Sequence, residues 1–330
     1  MDTVLPDAGP KNWVDRHAPP PLRPWLRLAR LDRPTGIWLL MLPGWQGIAL
    51  AHAMRGAWPN PWLLGAFLVG AVLMRAAGCA VNDVADKDFD ARVARTAGRP
   101  VASGQLSRKA ALAFALACTV GSLAILLFLN LASFWLAAAA LPLVAAYPFM
   151  KRITWWPQAW LGLTFNWGAL LGYAAAQGGE PLLGRLGLAA GAPAPIGEAW
   201  APALLLYASG VAWTLGYDTI YAVQDIEDDA LVGVKSTARR LGRHVPAFVA
   251  GAYLVTLVLA AAAGRAGGLG PIYLPCLLAP GFILAIQLRG LRGAEPTRAL
   301  AAFKANTWVG VALFVALALG RFNSSFTTPG

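Results

Sequence analysis

Ala71-Val-Leu-Met-Arg75-Ala-Ala-Gly-Cys-Ala-Val-Asn82-Asp83-Val-Ala-Asp86-Lys-Asp88-Phe-Asp90 passes from an apolar run into a cluster of carboxylates within a few helical turns. A second cluster joins Asp218 to Asp225, Glu227, Asp228 and Asp229. Together they hold more than half of the chain's 16 acids, in otherwise apolar surroundings. An uncompensated carboxylate beside hydrocarbon is costly. Charge gathered in two such places requires neutralising cations, which points to a divalent-metal site.

Of 330 residues, 58% are hydrophobic and 13% charged, with a mean hydropathy of +0.55. So little polar character excludes a soluble protein of this length. Apolar runs long enough to cross a bilayer recur at 37–54, 62–82, 110–129, 131–150, 158–177, 200–222, 245–264, 271–288 and 300–320, about nine spans. They predict an all-α, polytopic membrane domain over 37–322, preceded by a polar cytoplasmic segment 1–36 and followed by a tail 323–330. Segment 1–36 has no apolar core before a small-residue cleavage site and does not read as a signal peptide. Within it, residues 22–33 carry Trp25, Leu26, Leu28 and Leu31 among arginines. That pattern suits either a short helix lying on an anionic leaflet or a solvated lead-in to the first span.

Orientation follows from the basic residues. With the N-terminus cytoplasmic, nearly all of the 27 Lys and Arg fall in inside segments; Arg55, Arg185, Arg265 and Arg321 fall outside and Arg75 within a span. The positive-inside rule then puts both acid clusters on the cytoplasmic side. The net charge of +11 reads as membrane orientation with local anion binding, and needs no nucleic acid. Cys79, Cys118 and Cys276 lie in or beside apolar runs without CxxC spacing, as small buried hydrophobes do.

On a helix Asp83, Asp86 and Asp90, spaced by three and four, point roughly one way, with Asn82 one turn before Asp86. Like charges so placed repel, the more so near hydrocarbon, and are stable with metal or protons bound. Oxygen ligands without His or Cys select a hard ion. Mg2+ takes one or two carboxylates and leaves positions for phosphate oxygens. The second cluster repeats the spacing at Asp218, Tyr221, Asp225 and Asp229. Arg95 and Arg99 follow the first, and Lys235, Arg239 and Arg240 the second, which hints at an internal duplication. Metal-holding carboxylates flanked by arginine and lysine describe a diphosphate site. The competing reading, solvated loop charges, is disfavoured by two DxxxD clusters on one membrane face.

These residues resemble the UbiA superfamily of membrane prenyltransferases. Its NDxxDxxxD signature is met by Asn82, Asp83, Asp86 and Asp90, its second DxxxD by Asp225 and Asp229, and its YxxxK element by Tyr147 and Lys151. The likeness runs from Arg30-Leu-Asp-Arg-Pro-Thr-Gly36 through Arg95-Thr-Ala-Gly-Arg-Pro100, Tyr147-Pro-Phe-Met-Lys-Arg152 and Tyr217-Asp-Thr-Ile-Tyr221 to Lys235-Ser-Thr237. These flanking words are most similar to the 4-hydroxybenzoate polyprenyltransferases of ubiquinone synthesis. The resemblance implies a bundle of spans around a central cavity open to the cytoplasmic side of the cell inner membrane. It also implies Mg2+-dependent transfer of a polyprenyl group from polyprenyl diphosphate to the ring carbon ortho to the hydroxyl of 4-hydroxybenzoate. Asp86, Asp90, Asp225 and Asp229 would hold Mg2+ with Asn82 and Asp83 in support. Arg95, Arg99, Lys151 and Arg152 would grip the diphosphate, with Tyr147 steadying it or the allylic cation, in a site dry enough to spare that cation from water.

Arg75 lies eleven residues before Asp86, roughly 16 Å deeper along the same face, where charge is expensive. It is expected to receive the carboxylate of the aromatic acid; the alternative is a structural arginine reaching a helix carbonyl. Asp218 reads equally as a supporting acid, the acceptor of the ring proton or a helix-end partner of arginine. Trp155, Trp156 and Trp160 suit an interfacial belt, and the Gly168–Gly172 spacing suits close helix packing. Two rival functions remain: prenyl transfer to another acceptor (homogentisate, a naphthoate or haem), and cation-coupled transport. Transporter ion sites sit near the bilayer midplane at broken helices, whereas these acids crowd one membrane face.

Overall fold

A computed structural model describes residues 12–92, 96–185, 199–226, 235–291 and 296–322; the side chain of Asp225 is outside that description. The long helices, labelled in chain order, are α1 (Thr35–Ala53), α2 (Pro61–Ala85), α3 (Arg108–Leu126), α4 (Leu131–Ile153), α5 (Pro157–Ala176), α6 (Ala201–Ala222), α7 (Val245–Ala266), α8 (Leu278–Gly290) and α9 (Pro296–Leu319). Among the described residues the only pairing of strand type is an isolated bridge, Asn130 to Pro181, so the fold is all-α. Helix starts follow local chemistry. Ser107 accepts from the Ala110 N–H at 3.1 Å and caps α3. Asn130 accepts from the Ser133 N–H at 2.9 Å and caps α4, while prolines open α2, α5, α6 and α7, where a missing N–H is harmless.

Among the described residues, five stretches are long and apolar enough to cross a membrane: α2, α3, α4, the run Thr237–Ala266 that contains α7, and Arg298–Leu319 within α9. Their outward faces agree. On α3 the exposed large side chains are Leu112, Leu116, Val120 and Leu123, one per turn where a soluble protein would place charge. The chain is a multi-pass membrane protein. Helices α1, α5 and α6 match three of the other four predicted spans in position and carry buried amides and hydroxyls: Gln46 on α1, Gln158 and Asn166 on α5, Ser209, Thr214 and Thr219 on α6; the fourth, 271–288, meets two shorter helices, Tyr273–Cys276 and α8.

Packing resolves into two compact units. The described residues within 1–40 and 66–127 form the first, and those within 41–65 and 128–330 the second. In the first, Leu28 and Ala29 lie against Ala76, Ala77 and Ala80 of α2 and Ala111, Ala115 and Cys118 of α3, with Trp25 tilted on Phe114 at 5.5 Å. The stretch 22–33 therefore directs much of its apolar face to protein, where the sequence had allowed a lipid surface. Its helix covers only Arg23–Leu28.

In the second unit α6 packs on α5 and α7, and α9 on α6 and α8. Helices α1 and α5 touch backbone to backbone. A Cβ on Gly47 would run into the Ala169 carbonyl oxygen, and one on Gly172 into the Gly44 carbonyl oxygen, so the expected close packing at Gly172 is realised against α1. A buried polar chain ties four helices together. Trp213 Nε1 donates to Asn306 Oδ1 at 2.8 Å, Asn306 Nδ2 to Gln287 Oε1 at 3.2 Å, and the Tyr253 hydroxyl to the same Gln287 oxygen at 2.7 Å.

Candidate active site

The first acid motif begins inside α2 and ends beyond it. Helix α2 stops at Ala85, and Asp86, with φ −96° and ψ 7°, precedes a new turn over Lys87–Asp90. The single acidic face expected from helical spacing is therefore broken at Asp86. Asn82 does reach Asp86 as the spacing predicts, its Nδ2 donating to Oδ2 at 3.1 Å. Asp83 and Asp90 turn elsewhere. Asp83 is fully buried; its Oδ1 accepts from Arg30 Nη2 at 2.5 Å and from Arg99 Nη1 at 3.5 Å. Asp90, also buried, accepts from the same Arg99 Nη1 at 2.7 Å. Burial pushes the Asp90 carboxyl above its ordinary value against the opposing pull of Arg99. Asp88 faces solvent and pairs with Arg108 at 2.7 Å.

Arg30 is the partner that sequence reasoning missed. Among the described residues it alone is a non-glycine with positive φ, at 59°, a left-handed conformation that costs an L-residue about 1–2 kcal/mol. That turn aims a largely buried guanidinium at Asp83 across 53 residues of chain. Its position in Arg30-Leu-Asp-Arg-Pro-Thr-Gly36 marked it as part of a motif, but nothing local announces a left-handed arginine.

Arg75 sits on α2 ten residues before its end, about 15 Å along the axis. Seven positions separate it from Asn82, so both lie on nearly one face. Its guanidinium lies against Gly36, the second residue of α1.

The second motif lies at the end of α6. Asp218 is half-buried on the helix, and a 3-10 turn over Val223–Asp225 follows it. Asp229 and Arg95 lie outside the described residues, as does the Asp225 side chain. Tyr221 and Tyr217 pack on Phe303 of α9 at 4.6 and 5.9 Å between ring centroids. Tyr147, Lys151 and Arg152 close α4, with Tyr147 half-buried and the two basic residues exposed. The segment after the second motif docks there. Lys235 N–H donates to the Lys151 carbonyl at 3.0 Å, Lys235 Nζ to the Ile153 carbonyl at 3.1 Å, and Thr237 N–H to Gln158 Oε1 at 3.2 Å. Arg239 stands over the Trp155 ring at 5.6 Å, Trp156 packs on Phe248 and Trp160 donates to the Leu143 carbonyl. Each of these tryptophans thus has a packing role.

Among the described residues no three His, Cys, Asp or Glu side chains converge as a metal cage. The donors of the first motif nonetheless suit a hard cation. They are all oxygens apart from the Asn82 amide nitrogen, and Asp83 Oδ2 is buried with no hydrogen-bond partner, a state that is costly for a carboxylate oxygen.

Residues 40–318 match the sequence profile of the UbiA prenyltransferase family. The chain belongs to that family. Its UbiA relatives include the mitochondrial 4-hydroxybenzoate polyprenyltransferase of Bos taurus, 43% identical over 309 residues that cover 93% of this chain and 78% of the relative. The Arabidopsis thaliana protein of the same description is 42% identical over 313 residues, covering 94% and 72%. Among solved structures, the apo UbiA homolog from Aeropyrum pernix K1 superposes with a TM-score of 0.67 at 25% identity, over 84% of this chain and 96% of that one. A UbiA homolog from Archaeoglobus fulgidus bound to GPP and Mg2+ shares the fold at a TM-score of 0.57 and 20% identity, over 89% and 99%.

Proposed function

We propose that this UbiA-family protein transfers a polyprenyl group from polyprenyl diphosphate to the ring carbon ortho to the hydroxyl of 4-hydroxybenzoate. The C1–O bond of the donor breaks, a bond from C1 to the ring carbon forms, diphosphate departs and the ring carbon loses its proton. The observation that carries this reading is 43% identity over nearly the whole chain to proteins named for that reaction, joined to an acid motif already bracketed by arginine.

Asp86, Asp90, Asp225 and Asp229 are the proposed holders of Mg2+, with Asn82 and Asp83 supporting them. Mg2+, when bound, supplies charge neutralisation for the diphosphate oxygens. Arg95, Arg99, Lys151 and Arg152 bind those oxygens and stabilise the leaving group, where most of the catalytic free energy is needed. Tyr147 borders the diphosphate. Asp218 is a candidate acceptor for the ring proton. Arg75 takes the carboxylate of the aromatic acid, which orients the phenol edge toward the donor.

The finer placement is likewise proposed: about nine spans around a cavity, both acid motifs on the cytoplasmic side of a cell inner membrane. The basic-residue distribution supports this orientation. The named relatives are mitochondrial.

Mass spectrometry of membranes carrying the protein, supplied with 4-hydroxybenzoate, Mg2+ and a mixture of prenyl diphosphates, tests the reading. The expected product is 4-hydroxybenzoate bearing one prenyl chain, with diphosphate released in equal amount. Prenylation of homogentisate or a naphthoate in preference to 4-hydroxybenzoate, or no diphosphate release, would overturn it.

A further inference from the structure

Gly36 is more than a helix residue lacking a side chain. A Cβ built on it would stand 2.8 Å from Arg75 Nη2 and 3.1 Å from both Cζ and Nε. The guanidinium thus occupies the space that any other residue at position 36 would fill. Several other tight glycines meet backbone, rings or packed side chains of their own unit. Gly47 and Gly172 meet carbonyl oxygens, and Gly216 and Gly264 meet buried tyrosine rings. At Gly36 the obstructing atoms are instead the tip of a flexible, half-buried side chain, which can move.

We infer that Gly36 is a positioning residue that sets the acceptor specificity of the site, acting through Arg75. This rests on the assignment of Arg75 to the acceptor carboxylate. Atoms in contact stop repelling near about 3.5 Å, so a methyl at position 36 displaces the guanidinium by roughly 0.7 Å while α1 and α2 stay in place. Carboxylate recognition by arginine depends on paired N–H groups held in a fixed plane. A misplacement of that size weakens acid binding about tenfold or more, and the diphosphate groups, which do not involve Arg75, keep their affinity.

The test is a double-mutant cycle in full-length protein with Gly36→Ala, Arg75→Ala and the combination, read as KM for 4-hydroxybenzoate, KM for prenyl diphosphate and preference for 4-hydroxybenzoate over its uncharged amide. Gly36→Ala is expected to raise the acceptor KM about tenfold, leave the prenyl diphosphate KM within about twofold and erode the preference for the acid. In the Arg75→Ala background the same substitution is expected to add nothing. An equal penalty in both backgrounds, or a rise in both KM values together, overturns the inference and leaves the assignment of Arg75 standing. No effect of Arg75→Ala on the acceptor KM refutes that assignment itself. Gly36→Ala is also made with Arg75→Lys, whose ammonium lacks the planar group that meets Gly36. Failure of Gly36→Ala to accumulate in all three backgrounds marks the contact as purely structural and ends the proposal.

Discussion

Removing the charge of Asp83 is expected to destabilise the protein far more than removing that of Asp88, although each carboxylate accepts from arginine at close range. The Arg30–Asp83 contact is 2.5 Å with side chains 10% and 0% exposed, and the Arg108–Asp88 contact is 2.7 Å with 49% and 79% exposed. Breaking a buried pair by neutralising one member leaves the other charge in low dielectric, at about 3–5 kcal/mol. An exposed pair is worth about 0–1 kcal/mol. Arg99 stands 3.5 Å from the same Asp83 oxygen and offers partial compensation when Arg30 is lost, which puts Arg30→Ala near the lower limit, about 3 kcal/mol. The left-handed backbone at Arg30 adds a contrast. Arg30→Gly relieves about 1 kcal/mol of that conformation and is expected to melt above Arg30→Ala. The assay is thermal unfolding in one detergent at a fixed scan rate, on Asp83→Asn, Arg30→Ala, their combination and Asp88→Asn. At about 2 °C per kcal/mol for a chain of this size, Asp83→Asn loses about 6–10 °C and Asp88→Asn at most about 2 °C. The double variant loses less than the sum, by a coupling of about 2 kcal/mol. Additive losses, or an Asp83→Asn variant melting with Asp88→Asn, would refute the claim that this pair holds the first unit together.

Three further outcomes are expected. Asp90→Asn should cut kcat about a hundredfold or more, on the scale of losing one preorganised charged group, whereas Asp88→Asn stays within about threefold; equal losses measured by diphosphate release would dissociate burial from catalysis. Gly172→Ala forces a methyl onto the Gly44 carbonyl and should cost about 1–3 kcal/mol, while Gly251→Ala, on an open face of α7, should gain up to about 1 kcal/mol; melting temperatures in detergent decide. Asn306→Leu strands the Trp213 donor and part of Gln287, so a loss of about 1–3 kcal/mol with unchanged KM for both substrates is expected, and a KM change would place that network in the site.

Much of this was legible because hydropathy and helical spacing are local. Each predicted apolar run except 271–288, which is split between Tyr273–Cys276 and α8, meets one helix, and Asn82 to Asp86 is a contact between positions four apart. The exceptions are long-range or conformational. Nothing in residues 22–33 tells whether Leu28 faces lipid or the alanines of α2, since both are apolar solvents to a leucine. The helix break at Asp86 has no proline or glycine to announce it. The pairing of Arg30 with Asp83 needs a left-handed residue that sequence preference disfavours, and tertiary contacts override such preferences routinely. The contact of Gly36 with Arg75 is equally hidden, because the absence of a side chain carries no direction.

The charge balance of the first motif sharpens what the sequence could infer from carboxylates in oil. Repulsion among Asp83, Asp86 and Asp90 appeared to require metal or protons, yet Arg30 and Arg99 already neutralise Asp83 and Asp90. Among the described residues that leaves Asp86, whose carboxylate accepts only from the Asn82 amide, as the residual negative charge. Two of these three carboxylates are therefore balanced by arginines of the same chain, and clustered aspartates alone do not prove a metal site. Oxygen chemistry is the better guide. A carboxylate that accepts from a neutral amide and pairs with no arginine among the described residues, at the break between α2 and the next turn, suits a hard ion, and Mg2+ typically takes only one or two such ligands from a protein. The arginines make the motif stable and Asp86 makes it available, so neutralising Asp86 should impair metal-dependent activity with little change in melting temperature, in contrast to the large loss of melting temperature expected at Asp83.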